Sequence, residues 1–178
     1  MTFILKIAVF SLSATLLTAC DDFEQDAALT AEIFASYVAP EGADGNVTPF
    51  RAEANITSFL VDFSESPQTD LTGELQNPLS VVDRRQQLFS FDLSDYEEQQ
   101  ISQITIEFAS ELLLEAPNLS PLLVELEQTT YLIDTSMTVE KGRSEKINIE
   151  LQWKNTILSQ DGSNLSGRAP TIVVGYAP

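Results

Sequence analysis

Alternation of apolar and polar residues near the end of the chain predicts two antiparallel strands. In "TTYLIDTSMTVE" (129–140) one parity holds Tyr131, Ile133, Met137 and Val139. In "KINIELQWK" (146–154) one parity holds Ile147, Ile149, Leu151 and Trp153, so Trp153 is expected in the core. Period two is typical of a strand with one buried face and one face in water. The glycine in the intervening "KGRS" suits a tight turn, so the two runs predict a hairpin.

Five further runs predict strands that are separated by turn-forming residues. They cover residues 28–39, 50–63, 85–93, 121–128 and 171–177. Turn-forming residues concentrate between them, in "PEGADGN", "SESPQTD", "APNLSP" and "SQDGSNLSG". Because no long helical stripe interrupts this pattern, the sequence predicts a mostly β chain that folds as an antiparallel β-sandwich of the Ig-like or Greek-key type.

One segment fits two periodicities. "SDYE" (94–97) has the spacing of a helix capping box, and Pro117 ends the stretch. A helix would have one face formed by Ile101, Ile104, Phe108 and Leu112, whereas a strand would bury Ile104, Ile106, Phe108, Leu112 and Leu114. Isoleucine and threonine favour the strand. We predict one short helix near 94–101 and then a strand to about residue 115, with a full helix as the alternative.

The start of the chain is nearly uncharged and ends at the only cysteine, Cys20. The apolar run "IAVFSLSATLL" follows Lys6. It is shorter than the ~20 residues that a membrane-spanning helix needs and is typical of a signal peptide. The next residues, Leu17-Thr18-Ala19-Cys20, resemble the lipobox of bacterial lipoproteins. That resemblance implies cleavage between Ala19 and Cys20, a diacylglycerol on the Cys20 thiol, and a fatty acyl chain such as palmitate on the freed amine.

The lipobox predicts three parts of the chain. They are a signal peptide at 1–19, the lipidated cysteine with an acidic tether at 20–26, and a single domain at 27–178. Two or three acyl chains anchor a protein firmly. Asp21 resembles the inner-membrane retention signal of enterobacterial lipoproteins, and a solvated tether is the other interpretation of the same residue. We expect a lipid-anchored protein on the periplasmic side of a bacterial envelope. The inner and the outer membrane are both retained as alternatives for the anchor.

The charge of the chain limits the classes of partner that it is expected to bind. The sequence has 27 acidic and 9 basic residues, and removal of residues 1–19 leaves 159 residues with a formal net charge of −19 rather than −18, because Lys6 is lost. That length suits one domain with its own core. An acidic surface repels nucleic acid and anionic headgroups. We therefore expect contact with the membrane through the lipid anchor and with another envelope protein, and none with nucleic acid.

The composition also excludes several kinds of chemistry. Histidine is absent, and Cys20 is the only cysteine. Histidine-based triads, Cys/His zinc sites and internal disulfides are therefore excluded. The sequence predicts no catalytic residue and, apart from the lipid on Cys20, no cofactor. A hydrolase that works with paired carboxylates is the less favoured alternative.

Two loops and one turn hold the candidate binding residues. "EGADGN", with Asp44, and "DGSN", with Asp161, collect oxygen atoms of the kind that Ca²⁺ prefers, although neither has EF-hand spacing. "KGRSEK" places Lys141, Arg143 and Lys146 at the predicted hairpin tip, where they are candidates for contact with a partner. The sequence predicts a non-catalytic binding or structural module at the membrane surface, with a cation- or solute-binding accessory lipoprotein as the alternative.

Overall fold

Strands make up most of the computed structural model, which describes residues 26–36, 51–115, 120–152, 159–161, 164–166 and 169–177. The strands are β1 (Ala28–Ser36), β2 (Arg51–Ala54), β3 (Ile56–Phe63), β4 (Thr69–Asp70), β5 (Leu79–Val81), β6 (Gln86–Asp92), β7 (Gln100–Phe108), β8 (Glu111–Glu115), β9 (Leu122–Glu125), β10 (Thr130–Thr138), β11 (Ser144–Gln152), β12 (Ser159–Asp161), β13 (Asn164–Ser166) and β14 (Thr171–Ala177). Short 3-10 helices lie at Thr72–Glu74 and Ser94–Tyr96. The predicted mostly β fold is confirmed.

Strands lie in all five runs where the sequence predicts them. The run at 50–63 is divided at Asn55 into β2 and β3. The ambiguous segment begins with the 3-10 helix at Ser94–Tyr96 and continues as β7 and β8, so the strand interpretation is confirmed and the full helix is wrong. "SQDGSNLSG", predicted as a break between strands, contains β12 and β13, which pair with each other.

The predicted hairpin between residues 129–140 and 146–154 is wrong. β10 pairs with β7 in one sheet, whereas β11 lies between β1 and β14 in another. The turn at residues 141–142 therefore carries the chain between sheets, and Gly142 adopts a φ of 76°, which favours glycine. Alternation identifies the buried face of each strand, and here Ile147, Ile149 and Leu151 are buried as predicted. Alternation does not indicate which strand pairs with a given strand in the sheet. Trp153 lies outside the described residues.

One layer of the sandwich, the first sheet, has the strand order β14-β11-β1-β6. β1 and β11 are parallel, with Ala28 opposite Ser144 and Ser36 opposite Gln152. The other two pairings in this sheet are antiparallel. The predicted antiparallel sandwich therefore contains one parallel pairing, at the centre of this sheet.

The other layer, the bent sheet, consists of two four-stranded halves with the orders β10-β7-β3-β4 and β5-β2-β8-β9. The chain passes from one half to the other at Asn55 and again at residues 109–110. The amide of Ala109 donates to the carbonyl of Asn55 over 2.8 Å at this corner. The side chain of Asn77 satisfies both backbone groups of Ile56, with distances of 3.1 and 2.8 Å.

The core lies between the first sheet and the bent sheet. Phe59 of β3 and Phe89 of β6 meet across it edge to face, with ring centroids 4.9 Å apart. The buried apolar residues of both layers form one continuous cluster. Two layers that share one core confirm the predicted sandwich.

The two ends of strand β1 show which parts of the fold lie near the predicted tether and which lie far from it. At its start, the Ala28 amide donates to the Arg143 carbonyl over 3.2 Å, and the Leu93 amide donates to the Ala27 carbonyl over 2.8 Å. Near its end, the Ala35 amide donates over 2.8 Å to Val82, directly after β5. Nine strand residues span on the order of 26 Å. The half of the bent sheet that contains β5 therefore lies at the opposite end of β1 from residue 26, where the predicted tether ends.

Candidate functional site

Strands β10 and β14 lie next to each other along one side of the sandwich. β10 is an edge strand of the bent sheet, and β14 is an edge strand of the first sheet. Within the described part of the chain, no strand pairs with β10 on the side away from β7. Two hollows, of about 320 and 460 Å³, lie between β10 and β14. We call these two strands and the hollows between them the open edge.

The smaller hollow has a mixed lining, in which apolar side chains lie beside Glu127, Gln128 and Thr171. Its lining includes Leu126, Tyr131, Ala169 and Ile172. The Tyr131 ring packs edge to face on Phe108, with centroids 5.8 Å apart. Its hydroxyl donates to the Gln128 carbonyl over 3.0 Å, and burial raises the pKa of Tyr131. The ring is therefore held in place as one wall of a cavity of mixed polarity.

The larger hollow is polar and contains a charged residue pair. Arg143 and Tyr176 line it together with hydroxyl-bearing residues of β10. Both contact Glu145, which is only 2 % exposed. The Nε atom of Arg143 lies 2.8 Å from Oε1 of Glu145, and the Tyr176 hydroxyl donates to Oε2. Oε1 accepts no aligned hydrogen bond from the described residues, so the charge of Arg143 is what compensates this buried carboxylate.

Sequence reasoning missed Glu145, although the chain contains a signal for it. Glu145 has the parity of Ile147, Ile149 and Leu151, which are all buried. It lies opposite Leu29 of β1, at the end of the sandwich where the chain enters. An acidic residue on the apolar parity of a strand indicates a buried charge that needs a partner.

The cluster shifts the pKa values of its members. Burial and the hydrogen bond to Glu145 raise the pKa of Tyr176 to about 12. The Glu145 carboxylate, and then that of Glu140, raise the pKa of Arg143. Both shifts favour the protonated forms of Tyr176 and Arg143 in the folded protein.

Tyr176→Phe is expected to lower the free energy of unfolding by about 1.5 kcal/mol at pH 8, because the bond to a buried carboxylate is lost. The pKa of Tyr176 is raised in the folded state. Its contribution is therefore complete below the ordinary tyrosine value of about 10 and declines as the pH rises from there towards the folded value. Urea unfolding of both proteins at pH 8 and pH 11 tests this. If the difference in unfolding free energy between the wild type and Tyr176→Phe stays constant or grows at pH 11, the hydrogen bond from Tyr176 to Glu145 is contradicted.

The structure does not bring the three candidate basic residues together. Arg143 contacts Glu145 and, at 3.4 Å, Glu140. Lys146 lies on the outer face of the first sheet, where its Nζ atom is 2.9 Å from Oε1 of Glu32 and lowers the pKa of that carboxyl. Lys141 is exposed at the turn between the sheets. Arg143 and Lys146 therefore form separate contacts with carboxylates and not a single positive patch.

The two outer faces of the sandwich differ in charge. The described strands of the bent sheet carry one basic residue, Arg51, which is paired with Glu53 at 3.0 Å and Glu115 at 2.8 Å. Their carboxylates are Glu53, Asp62, Asp70, Glu107, Glu111, Glu115, Glu125 and Asp134. On the first sheet, Lys146 and Arg85 both reach Glu32, so charges of both signs are interspersed there. The bent sheet is therefore the acidic face of the domain.

Large apolar side chains are exposed close to the open edge. Leu132 of β10 is 61 % exposed and Leu123 of β9 is 59 % exposed, both on the acidic outer face of the bent sheet. Val173 of β14 is 40 % exposed, on the outer face of the first sheet. Sequence analysis did not single out these residues. The signal for Leu132 is that it is apolar, whereas the other residues of its parity in the alternating run are polar.

The other predicted site residues are only partly described. Ala19, Cys20 and Asp44 lie outside the described residues, and Asp161 is described by its backbone alone, opposite Asn164 in the β12–β13 pair. Within the described ranges, no group of three or more acidic, histidine or cysteine residues is placed to hold a metal ion. The same ranges contain no helix of the length and hydrophobicity needed to cross a membrane.

Comparison of the chain with protein-family models, with curated proteins and with solved structures found no match.

Proposed function

We propose that this protein is a lipid-anchored component of a bacterial cell envelope that acts as a non-catalytic binding module at the membrane surface. The observation that carries the proposal is the open edge, where an edge strand exposes Leu132 beside a hollow of mixed polarity. Exposed apolar residues on a strand whose outer edge has no partner strand are typical of surfaces that bind another polypeptide. The membrane location rests on the lipobox at residues 17–20.

The direction of β1 supports a defined orientation at the membrane. Seven residues, 20–26, separate the lipid from the folded chain, and at ~3.5 Å per residue they reach about 25 Å at most. The start of β1 would then lie nearest the bilayer, with the Arg143–Glu145–Tyr176 cluster at the same end. The open edge runs from this cluster along β10 and would remain accessible from the side.

The charge supports a protein partner over a lipid surface. A net charge of −19 after cleavage disfavours contact of the domain itself with anionic headgroups. The acyl chains would supply the membrane attachment, and the domain would contact a neighbouring envelope protein. Attachment to a membrane raises the local concentration of such a partner, so a modest affinity is sufficient.

Site-specific photo-crosslinking in living bacteria tests the proposed function without assuming which surface is used. A photoreactive residue replaces Leu123, Leu132 or Val173, one at a time, in the full chain. We expect at least one position to give a single defined adduct with an envelope protein, and Cys20→Ala to abolish it because the unanchored protein is no longer held near its partner. Diffuse adducts at all three positions, or an adduct that Cys20→Ala leaves unchanged, would overturn the proposal.

A further inference from the structure

We infer that residues 130–134 of β10 bind an extended basic segment of a partner polypeptide by strand addition, and that this segment has three consecutive apolar residues flanked by Lys or Arg. The inference rests on the proposed function and deepens it, because it specifies which surface the module uses and which chemistry the partner presents.

The backbone of this segment is regularly paired on its β7 side, and the Gln128 side chain donates to the Thr130 carbonyl over 2.7 Å. From Thr130 opposite Glu107 to Asp134 opposite Gln103, β10 pairs with β7 without a register shift. The register changes only after Asp134. Natural proteins protect such edges with lysine, proline or a bulge. β10 contains no lysine, arginine or proline, and its bulge lies beyond this stretch. Five residues are therefore free of the usual protection within the described structure.

The outer side of this edge selects both apolar and basic side chains. Leu132, 61 % exposed, lies at the centre and is opposite Thr105 of β7. Acidic side chains flank it on the same face, with Asp134 on β10 and Glu107 opposite Thr130. Directly opposed residues on adjacent strands contact each other. An added strand would therefore place an apolar residue beside Leu132 and a basic residue beside Asp134. A basic residue at its other end would lie beside Thr130 and would extend past it to Glu107, which is one strand further in.

The inner side of this edge selects apolar residues. Tyr131 and Ile133 have the inward parity of β10 and pack against the core. The smaller hollow, of about 320 Å³, opens between Tyr131 and the start of β14. Side chains of an added strand alternate between the two faces. The two residues that flank the central one would face inward, against Tyr131 and Ile133, which completes the run of three apolar residues.

Charge complementarity identifies the occupant as a foreign basic segment. The acidic face has eight carboxylates and one guanidinium among the described strands of the bent sheet. A second copy of this chain would bring the same acidic face to the contact, and like charges directly opposed across strands are destabilising. A segment that carries Lys or Arg at both ends would instead be attracted to it.

Synthetic peptides test the inference with the full-length lipidated protein in detergent micelles. The probe contains Lys-Val-Leu-Val-Lys between Gly-Ser flanks and a fluorophore, and fluorescence anisotropy gives its Kd. We expect it to bind at least about tenfold more tightly than the same peptide with Glu in place of Lys, a difference of about 1.4 kcal/mol. A third peptide carries N-methyl groups on alternate amides, which removes backbone donors, and should also bind at least ~tenfold more weakly. Equal affinities for the plain and N-methylated peptides would overturn strand addition.

Two protein variants and one direct readout locate the binding site. Leu132→Lys introduces the charge that natural edges use for protection and should weaken binding of the Lys-Val-Leu-Val-Lys peptide about tenfold. Leu123→Lys places the same charge on another exposed apolar position of the acidic face, outside the open edge, and should leave the Kd unchanged. Hydrogen exchange of the wild-type protein should slow at residues 130–134 when this peptide is added. If hydrogen exchange slows elsewhere instead of at residues 130–134, or if the two variants change the Kd equally, β10 is not the binding site.

The peptide and crosslinking experiments can fail independently. A Cys20-dependent adduct at position 123 or 173, together with no peptide binding at β10, would overturn the strand-addition inference and leave the proposed binding function in place. Loss of all defined adducts would overturn the proposed function itself.

Discussion

Phe59→Ala is expected to lower the free energy of unfolding by about 4 kcal/mol, since truncation of a buried aromatic residue costs roughly 3–5 kcal/mol. Phe59 is fully buried and its ring contacts Phe89 across the two layers of the sandwich. Its removal leaves a cavity at the contact that joins the layers. The stability of a typical domain is about 5–15 kcal/mol, so this single change would remove a large part of it.

Urea unfolding of the mature domain, followed by circular dichroism, measures this effect. Leu132→Ala is the matched control, because it also truncates an apolar strand residue of the bent sheet but at a position that is 61 % exposed. The control should change the free energy of unfolding by less than about 0.5 kcal/mol. Similar losses for the two variants would show that the two layers do not share the core described here.

Glu145→Lys is expected to destabilise the domain by roughly 4 kcal/mol or more, because it places an unpaired charge in a buried position. Glu145 is 2 % exposed and compensated by Arg143 at 2.8 Å. The substitution would replace this ion pair with two positive charges side by side. The hydroxyl of Tyr176 would also lose the carboxylate to which it donates.

The same substitution on the opposite face of the same strand is the control. Glu150 of β11 lies on the outer face, where Gln152 donates to it over 3.0 Å. Glu150→Lys should cost about 1 kcal/mol or less, in line with a partly exposed polar contact. Thermal melting of both variants makes the comparison. Equal tolerance of the two substitutions would contradict the burial of Glu145.

The sequence was sufficient to predict strands, because burial of one face imposes a period of two on each strand. It identified the runs that form β1, β6 and β14, and the parity of Ile147 and Ile149 correctly gave the inner face of β11. It could not predict that β11 pairs with β1 in parallel. Pairing depends on contacts between residues more than 100 positions apart, as in Ala28 opposite Ser144, and no local pattern records them.

Two exceptions to the alternation mark the residues that matter most for the candidate site. Leu132 is apolar on a polar parity, and Glu145 is acidic on an apolar parity. The first departs from the pattern at the exposed edge that we assign to a partner, and the second at the buried ion pair beneath the larger hollow. Lys141, Arg143 and Lys146 are predicted as contact residues because basic side chains coincide with a predicted hairpin tip. That local pattern does not reveal that Glu145 pairs with Arg143 and Glu32 with Lys146.

The first measurement to make is the intact mass and membrane fractionation of the wild-type chain and of Cys20→Ala, both expressed in a bacterium. For the wild type we expect the mass of the chain from Cys20 plus two or three acyl groups, and recovery with the membranes. Cys20→Ala should lack the acyl groups and leave the membrane-bound fraction. A wild-type protein that is unacylated and soluble would contradict the lipid anchor, and the partner of the open edge would then have to be sought away from the bilayer.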